Sequence, residues 1–452
     1  MAPRHKTRED PQRPEREGPV LMLASVGSPE DEFADAGRLF PLDGVSRVVF
    51  GRGEDHAARI EVSLGDGGSL SVGIPLPYVS ARHAELVIAP SDEKHGHRLE
   101  DNGSRNGTLL EGKALERDTA VLPGDIFEIG RSFWALVELS PTDNEVEISR
   151  IDPDGAINPQ MRTLLTALGR VATSSLPLLL TGETGVGKDR LADAVHRASG
   201  VAGELVVANV MATTIEQLLF GGTGEIGLMQ RARGGTLVLD DVGELDSDAQ
   251  TKLQSALMTM TPSSGEAREG DVRVIAASTR DLRNMVSLEG FRPDLMSRLA
   301  GFEGAVPPLR ERREDLGILV RALSRRPDGS QVPVSTPVFR SMLAHAWPFN
   351  VRELEHALKA AVSLTCDVSA GSSAASGTRG ITPSMWEALG GHAEETRDPV
   401  RIQAVREALV QYLVAHGGDT ARVAESMHCG LQDVERWLDR LSLRSDEYGR
   451  AG

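Results

Sequence analysis

The chain is poor in cysteine and in aromatic residues. Of its 452 residues, two are cysteines, Cys366 and Cys429, and 4% are aromatic. Two cysteines cannot build a disulfide framework, and their spacing fits no metal site, so a reduced, cytoplasmic protein is predicted. No run of about 18 apolar residues is present, so no transmembrane helix is expected.

Basic residues are also fewer than acidic ones. The chain has 49 Lys and Arg against 66 Asp and Glu, a net charge of −17, so any contact with nucleic acid must come from a local basic patch. The length exceeds that of one core and predicts two to four domains. Residues 1–18 are polar and proline-rich without a signal-peptide core, and we expect a disordered leader there.

Hydrophobic patterning divides the rest of the chain. Residues 20–140 hold short alternating runs such as VSRVVFGR, which predict a small antiparallel β sandwich. The polar, acidic stretch Ser140–Asp154 indicates a linker. In residues 150–325, helical periods alternate with apolar strands such as GTLVLDD, a pattern typical of a parallel α/β sheet. Residues 366–397 contain SAGSSAASGTRG, a Gly/Ser-rich linker, and short helices are expected over 398–444.

A glycine-rich loop follows one of the predicted strands, in LPLLLTGETGVGKDRLADAVHRA. Gly182, Gly185 and Gly187 let the backbone curl so that its N–H groups point at a phosphate. Lys188 adds a positive charge, and the following helix offers its positive N-terminus. Asp189 stands where Ser or Thr is usual. The alternative is a glycine turn that happens to precede a helix.

A second apolar strand ends in two aspartates. The carboxylate of Asp240 lies where it can hold a hydrated Mg²⁺ that bridges the β- and γ-phosphates of ATP. Asp241 stands at the position where such ATPases place the base that orients the attacking water. The loop and the acidic pair together predict a site for ATP and Mg²⁺.

Seven motifs occur in the order found in the AAA+ domain of sigma-54-dependent transcriptional activators. They are GETGVGKD, NVMATTIEQLLFG, GGTLVLDDVGEL, DVRVIAASTRDL, FRPDLMSRL, PPLRERREDL and WPFNVRELE. The chain resembles that family over roughly Asn158–Val362. The resemblance implies a P-loop ATPase core over 150–325, a helical lid over 326–365, and a homo-oligomer that forms a ring.

The resemblance also implies roles for single residues. The phosphate loop would be formed by Gly182, Glu183, Thr184, Gly185, Val186, Gly187, Lys188 and Asp189. Asp240 would be the Mg²⁺ ligand, Asn209 would restrain the catalytic carboxylate, and Arg352 would be the second sensor. Arg298, with Arg292 as a further candidate, would reach the γ-phosphate on the neighbouring subunit.

Three departures from the family bear on activity. Asp241 replaces Glu and is one methylene shorter, and misplacing a catalytic group by about 1 Å can cost roughly 100-fold in rate. Thr279 replaces the sensor asparagine. Between LLFG and GGT only GTGEIGLMQRAR is found, without the Gly-Ala-Phe-Thr-Gly-Ala loop that touches the sigma factor. We therefore expect weakened hydrolysis and little direct action on sigma-54 RNA polymerase.

Motifs in the first domain, FGRGEDH, LPYVSARHAELVI and EDNGSRNGT, resemble the forkhead-associated (FHA) domain, which binds phosphothreonine peptides. Arg52 and Arg82 would supply cations to the phosphate, and Ser80 would add a hydroxyl. Asn106 would bond the peptide backbone, and His83 would brace the loop. Two alternatives stay open: a sandwich whose Gly and Asn turns are only turns, and an intact fold that binds no phosphopeptide.

Residues 398–444 have the spacing of a Fis-like helix-turn-helix, in which GGD would begin the second helix. The candidate DNA contacts are Arg422, Arg436, Arg440 and Arg444. The predicted recognition helix carries two arginines against three acidic residues, which is unfavourable for a DNA contact. A helical dimerisation or packing unit without DNA binding is the alternative.

Two functions follow from these motifs. The first is a bacterial, cytoplasmic transcriptional regulator that senses a phosphothreonine-containing protein, with a Ser/Thr kinase upstream. The second is a phosphopeptide-dependent adaptor in which ATP is a structural or switching ligand. The segment PPLRERRED, with its alternating charges, is expected to be a solvated helix start between core and lid.

Overall fold

The computed structural model describes residues 18–54, 60–65, 68–90, 96–115, 118–210, 221, 226–260, 271–326, 329–366, 381–383, 386, 413, 418–426 and 438. In chain order they form a β sandwich, an α/β core and a group of helices, followed by one short helix near the C-terminus. Within these residues no helix is both long and apolar enough to cross a membrane.

The sandwich consists of two six-stranded sheets. Its strands are β1 Val20–Gly27, β2 Leu39–Pro41, β3 Arg47–Arg52, β4 Glu61–Leu64, β5 Ser69–Ile74, β6 Ala84–Val87, β7 His97–Asp101, β8 Thr108–Leu110, β9 Lys113–Ala114, β10 Thr119–Val121, β11 Ile126–Ile129 and β12 Ser132–Leu139. The first sheet has the order β2-β1-β12-β11-β8-β9 and the second β10-β7-β6-β3-β5-β4. Edge-to-face contacts of Phe50 with Phe127 and Trp134 fill the space between them.

One strand pair departs from the antiparallel pattern predicted for this region. β3 and β5 pair in parallel, whereas β4 and β5 form an antiparallel pair. The chain passes from β3 to the sheet edge at β4, and β5 then returns into the gap between them. The prediction of an antiparallel sandwich is wrong at this pair. Alternating runs indicate strands, but they do not show that β5 lies between β3 and β4 in the sheet.

The stretch expected to be a linker contains a helix, α1 (Glu145–Ile151). The Asn144 side chain accepts hydrogen bonds from the N–H groups of Val146 and Glu147, which caps the helix. Ile148 and Ile151, three residues apart, are buried on one face. The third apolar residue, Val146, is exposed, so the helix shows no recognisable helical period and its polar composition was misleading.

The α/β core has five parallel strands in the order β14-β15-β16-β13-β17, which confirms the predicted parallel sheet. The strands are β13 Leu178–Thr181, β14 Leu205–Asn209, β15 Thr236–Asp240, β16 Arg273–Ser278 and β17 Phe302–Ala305. The helices are α2 Pro159–Val171, α3 Lys188–Ser199, α4 Leu228–Arg231, α5 Ser247–Met260, α6 Leu282–Ser287 and α7 Pro293–Leu299.

Three helices follow the core: α8 Leu316–Leu323, α9 Thr336–Ala344 and α10 Asn350–Cys366. They are reached through two 3-10 turns over residues 309–315, which we call the connector. The connector was expected to be solvated, but Arg312, Glu314 and Asp315 are buried. Asp315 accepts hydrogen bonds from the N–H groups of Ile157 and Asn158, so its burial is compensated by polar partners.

The sandwich packs directly on two of these helices, α8 and α9. The rings of Phe33 and Phe133, from the sandwich, lie 4.8 and 4.9 Å from the ring of Phe339 on α9, edge to face. On α8, Gly317 leaves room for the backbone of β1, because a Cβ at this position would lie 1.7 Å from the Val26 carbonyl oxygen. The first sheet is therefore covered on both faces.

Near the C-terminus, helix α11 (Thr420–Ser426) begins directly after GGD. The Asp419 carboxylate accepts hydrogen bonds from the N–H groups of Ala421 and Arg422, which caps the helix. Arg422 is exposed. The other predicted DNA contacts lie outside the described residues: Arg436, Arg440 and Arg444.

Candidate nucleotide and phosphopeptide sites

The carboxyl ends of the parallel strands meet at one edge of the α/β sheet. Asn209 at the end of β14 is the register partner of Asp240 at the end of β15. Thr181 and Ser278 are partners on β13 and β16, so the phosphate loop and Thr279 emerge side by side. Ligands of open α/β sheets bind at this edge.

The phosphate loop occupies residues 182–187, between β13 and α3. Gly187, at φ +107°, precedes the first turn of α3 and takes a conformation that favours glycine. The Lys188 Nζ donates hydrogen bonds to the carbonyl oxygens of Gly182 and Glu183, at 2.8 and 3.1 Å. The ammonium group thus lies across the loop.

Three backbone carbonyls of the loop are bonded from outside it. Asn350 Nδ2 donates to Thr184 O at 3.0 Å. The Arg352 N–H donates to Gly185 O at 3.2 Å, and Arg312 Nη2 donates to Val186 O at 2.8 Å. A trans peptide points its N–H opposite to its carbonyl. In each of these three peptide units, the N–H group therefore points away from the donor that binds the carbonyl.

Close packing explains one glycine of the loop. A Cβ on Gly185, which has φ +78°, would lie 2.2 Å from the Phe349 carbonyl oxygen and 2.9 Å from the Arg352 Cβ. Only glycine lets the start of α10 approach the loop this closely.

The Glu183 side chain also faces α10 and the connector. Arg310 binds both carboxylate oxygens, at 2.8 and 2.7 Å, and Asn350 donates to one of them at 3.1 Å. The hydrogen bonds from Arg310, followed by that from Asn350, lower the pKa of Glu183 to about 2. This carboxylate is occupied by the protein itself, so its predicted part in cofactor binding would be indirect.

An open cleft with a volume of about 140 Å³ lies at this edge. It brings together most of the predicted nucleotide-site residues. Its described lining consists of Thr184, Gly185, Gly187, Lys188, Asp189, Arg190, Asp240, Asp241, Thr279, Val351, Arg352 and Glu355. Of the predicted set, Gly182, Glu183, Val186 and Asn209 lie next to this lining.

The cleft concentrates negative charge around one lysine. Burial, followed by repulsion from Asp189 and Asp241, raises the pKa of Asp240. Burial lowers the pKa of Lys188, although the same three carboxylates oppose that shift. Clustered carboxylates that lack a compensating cation are disfavoured, and a divalent cation would relieve their repulsion.

Asp241 has an unusual backbone. Its φ of 57° and ψ of 42° place it in the left-handed region, which residues other than glycine adopt uncommonly. The Thr279 hydroxyl lies 3.5 Å from Asp241 Oδ1, at the limit of a hydrogen bond. Such strained residues are enriched at functional sites.

The two predicted trans arginines lie outside the described cleft lining. Arg292 is held by Asp294 through two hydrogen bonds of 3.1 and 2.8 Å, and these lower the pKa of Asp294 to about 2. Arg298, in the last turn of α7, has no hydrogen bond or ion pair with the described residues. Of the two, Arg298 is the one left available for a second chain.

The predicted phosphopeptide residues converge on one loop of the sandwich, residues 77–80. Arg52 Nε donates to Val79 O at 2.8 Å, and Asn106 Nδ2 donates to Tyr78 O at 2.7 Å. Ser80 Oγ accepts a hydrogen bond from the Arg105 N–H at 3.2 Å. The side chains that would meet a peptide therefore also hold its loop in place.

Two neighbouring residues have contrasting environments. His83 is fully buried, and its Nδ1 accepts from the Ser80 N–H while its Nε2 lies 3.0 Å from Gly107 O. It braces the loop from within. Arg82 is exposed and makes no hydrogen bond or ion pair with the described part of the chain, so its guanidinium is available to a ligand.

Three supporting residues were missed by the sequence reasoning: Arg310, Arg312 and Asn350. Arg310 and Arg312 lie in a run of alternating charges that is typical of a solvated surface. Asn350 is fully buried, with φ +54°. A clue existed for Asn350, because it directly precedes the apolar period of α10, a position where a polar residue usually has a structural task.

Family comparisons match three parts of the chain. Residues 156–303 match the sigma-54 interaction domain, residues 48–130 the FHA domain, and residues 310–370 the AAA+ ATPase lid domain.

Curated relatives match part of the chain. The anaerobic nitric oxide reductase transcription regulator NorR of Enterobacter sp. (strain 638) is 34% identical over 314 residues, covering 64% of this chain and 62% of that protein. The nitrogen fixation protein AnfA of Azotobacter vinelandii is 37% identical over 227 residues, covering 46% and 43%. The chain thus spans about three fifths or less of these relatives' lengths. A crystal structure of NtrX from Brucella abortus in complex with ATP aligns with a TM-score of 0.44 at 26% identity, covering 64% of this chain and 69% of that one.

Proposed function

We propose that this chain is an ATP-binding regulator of transcription that responds to phosphothreonine, because its match to the sigma-54 interaction domain lies between matches to an FHA domain and an AAA+ lid domain. The observation that carries the proposal is the cleft in which the phosphate loop, Lys188 and the Asp240–Asp241 pair meet.

In this proposal the loop N–H groups and Lys188 bind the phosphates of ATP. Arg352 adds a cation from the lid side of the cleft. Asp240 suits Mg²⁺, which is bound in nucleotide sites by one or two carboxylates together with phosphate oxygens. The ion would neutralise charge on the phosphates.

The residues placed for hydrolysis are Asp241, Thr279 and Arg298. Asp241 would accept a hydrogen bond from the attacking water and orient it. Thr279, beside it, would fix the carboxylate or the γ-phosphate. Arg298, and Arg292 once released from Asp294, would act on the γ-phosphate of a neighbouring chain, which requires a ring or another oligomer.

The FHA domain would supply the signal. Arg52 and Arg82 provide cations for a phosphothreonine, and Ser80 and Asn106 provide further hydrogen bonds. Binding there would alter assembly or activity of the ATPase part. The C-terminal helices would bind DNA, with Arg422 as one contact.

A second candidate function retains the binding of phosphopeptide and ATP but does not include activation of transcription. Here the chain is a phosphopeptide-dependent adaptor, and ATP is a switching ligand that is hydrolysed slowly or not at all. The short side chain of Asp241 and its 3.5 Å contact with Thr279 favour it. The segment that lacks the sigma-contacting loop is residues 222–233, of which 222–225 lie outside the described residues and 226–233 contain α4.

Steady-state ATP hydrolysis by the full chain, with and without a phosphothreonine peptide, tests the proposal. We expect slow hydrolysis that changes when the phosphorylated peptide, but not its unphosphorylated form, is added. Hydrolysis that is undetectable in both states, together with retained ATP binding, would favour the adaptor.

Transcription in vitro from a sigma-54 promoter tests the output. We expect little or no activation, because the sequence lacks the loop that touches the sigma factor. Robust activation would show that another segment does this work.

A further inference from the structure

Three arginines of the connector contact two different domains. Arg310 pairs with Glu183, and Arg312 donates to the Val186 carbonyl, so both support the phosphate loop. Arg313, the next residue, binds Glu111 of the FHA domain through two hydrogen bonds of 2.8 and 3.1 Å. One peptide bond therefore separates a phosphate-loop contact from an FHA contact.

Glu111 is held firmly on the FHA side. It lies in the turn between β8 and β9, and its Oε1 also accepts a hydrogen bond from the Ile126 N–H at 2.7 Å. The carboxylate thus has a fixed position from which to hold Arg313.

The connector is fixed on the core side as well. Arg312 is 4% exposed, and Asn158 Nδ2 donates to the Glu311 carbonyl and to the Glu314 carboxylate, both at 2.9 Å. A close-packed segment of this kind transmits a displacement instead of absorbing it.

We propose that Glu111 is a positioning residue for the nucleotide site. Through Arg313 it fixes the connector, and the connector in turn aims Arg310 and Arg312 at the phosphate loop. The inference rests on the proposed binding of ATP and adds that the FHA domain contributes to the affinity for it, from a residue far in sequence from the loop.

A matched control exists on the same interface. Glu128 of the first sheet binds Arg340 of α9 through two hydrogen bonds of 2.7 and 2.6 Å. This pair also joins the FHA domain to the lid with a bidentate ion pair, but it ends on α9 and not on the connector. Loss of either pair weakens the interface, whereas only loss of the Glu111 pair should reach the phosphate loop.

The experiment measures the affinity of the full chain for a fluorescent ATP analogue with Mg²⁺. The variants are Glu111→Gln, Arg313→Gln, their double variant and Glu128→Gln, each with its thermal unfolding midpoint. We expect each connector variant to bind about three- to tenfold more weakly, and the double variant to bind no more weakly than the singles, because both act through one contact. Glu128→Gln should bind within about twofold of the wild type while unfolding at a similarly lowered temperature.

Three results would overturn the inference. Equal losses of affinity in Glu111→Gln and Glu128→Gln would mean that general weakening of the interface is responsible. Unchanged affinity in Glu111→Gln, with normal binding by the wild type, would remove the inference and leave the proposed function standing. A wild type that binds no nucleotide would overturn both.

Discussion

The two candidate ligand sites are supported in different ways. The peptide loop of the FHA domain is held from inside its own domain, by Arg52, Asn106 and His83. The phosphate loop is held from outside, by donors of the connector and α10 that occupy its carbonyls.

This difference predicts which of the two sites depends on the packing of the FHA domain against the lid. A loop braced by its own sandwich keeps its shape when the domains move. A loop whose carbonyls are bonded to other segments changes when those segments shift. We therefore expect the nucleotide site to respond to the FHA–lid interface, and the peptide site to be largely independent of it.

The largest effect should come from Arg52→Ala. The change removes a cation for the phosphate and the brace on Val79, so affinity for a phosphothreonine peptide should fall about 100-fold. Fluorescence anisotropy with labelled peptide measures it. Arg98→Ala, which removes an exposed FHA arginine paired with Asp118, is the control and should bind normally. A comparable loss of ATP affinity in Arg52→Ala would break the contrast between the sites.

The connector should make stability depend on pH. Burial, followed by repulsion from Asp315, raises the pKa of Glu314 from 4.5 to about 7, against hydrogen bonding by Asn158 and attraction by Arg313. The folded state then binds more protons than the unfolded state between these values, so rising pH lowers the free energy of unfolding. Glu314→Gln removes the contribution of Glu314 to that slope and should be more stable than the wild type at pH 8, by on the order of 2 kcal/mol.

Urea unfolding at pH 4.5 and pH 8 checks this prediction. Glu311→Gln, at an exposed neighbouring position, should keep the slope of the wild type. If Glu314→Gln showed the same loss of stability as the wild type between the two pH values, Glu314 would not be the group that gives the slope.

A smaller change is expected in the rate of ATP hydrolysis. Asp241→Glu restores the missing methylene and should raise the rate about tenfold, since a better placed base orients water more effectively. Single-turnover hydrolysis measures it, with Asp241→Asn as the inactive counterpart. Equal rates in all three proteins would show that Asp241 has no part in the chemistry.

The smallest effect should follow Glu30→Gln. Glu30 links the peptide loop to the lid, because it pairs with Arg131, which stacks on Tyr78, and accepts a hydrogen bond from Thr336. If the loop is held mainly from within, peptide affinity should change by less than about twofold. A tenfold loss would show that the lid also shapes the peptide site.

Much of the fold could be predicted because its signals are local. Alternating runs indicated the sandwich, and apolar strands followed by helical periods indicated the parallel sheet. The glycine loop and the Asp240–Asp241 pair could be placed at one edge, since parallel strands end together. These predictions needed only the order of residues within short windows.

The packing of the FHA domain on the lid was not predicted, although the sequence contained a sign of it. β12, SFWALVEL, is apolar almost throughout, which indicates a strand covered on both faces and not one with a solvated face. The roles of Arg310, Arg312 and Arg313 could not be read at all. The residues around an arginine in a charged run do not indicate whether its side chain contacts water, a backbone carbonyl or a carboxylate from another domain.

Calorimetric titration of the full chain with a non-hydrolysable ATP analogue and Mg²⁺ tests the central claim most directly. We predict one site per chain, with affinity at least about tenfold lower in Lys188→Ala and unchanged in Lys252→Ala, an α5 lysine paired with Asp248. No heat of binding from the wild type, or equal affinity in Lys188→Ala, would contradict the account.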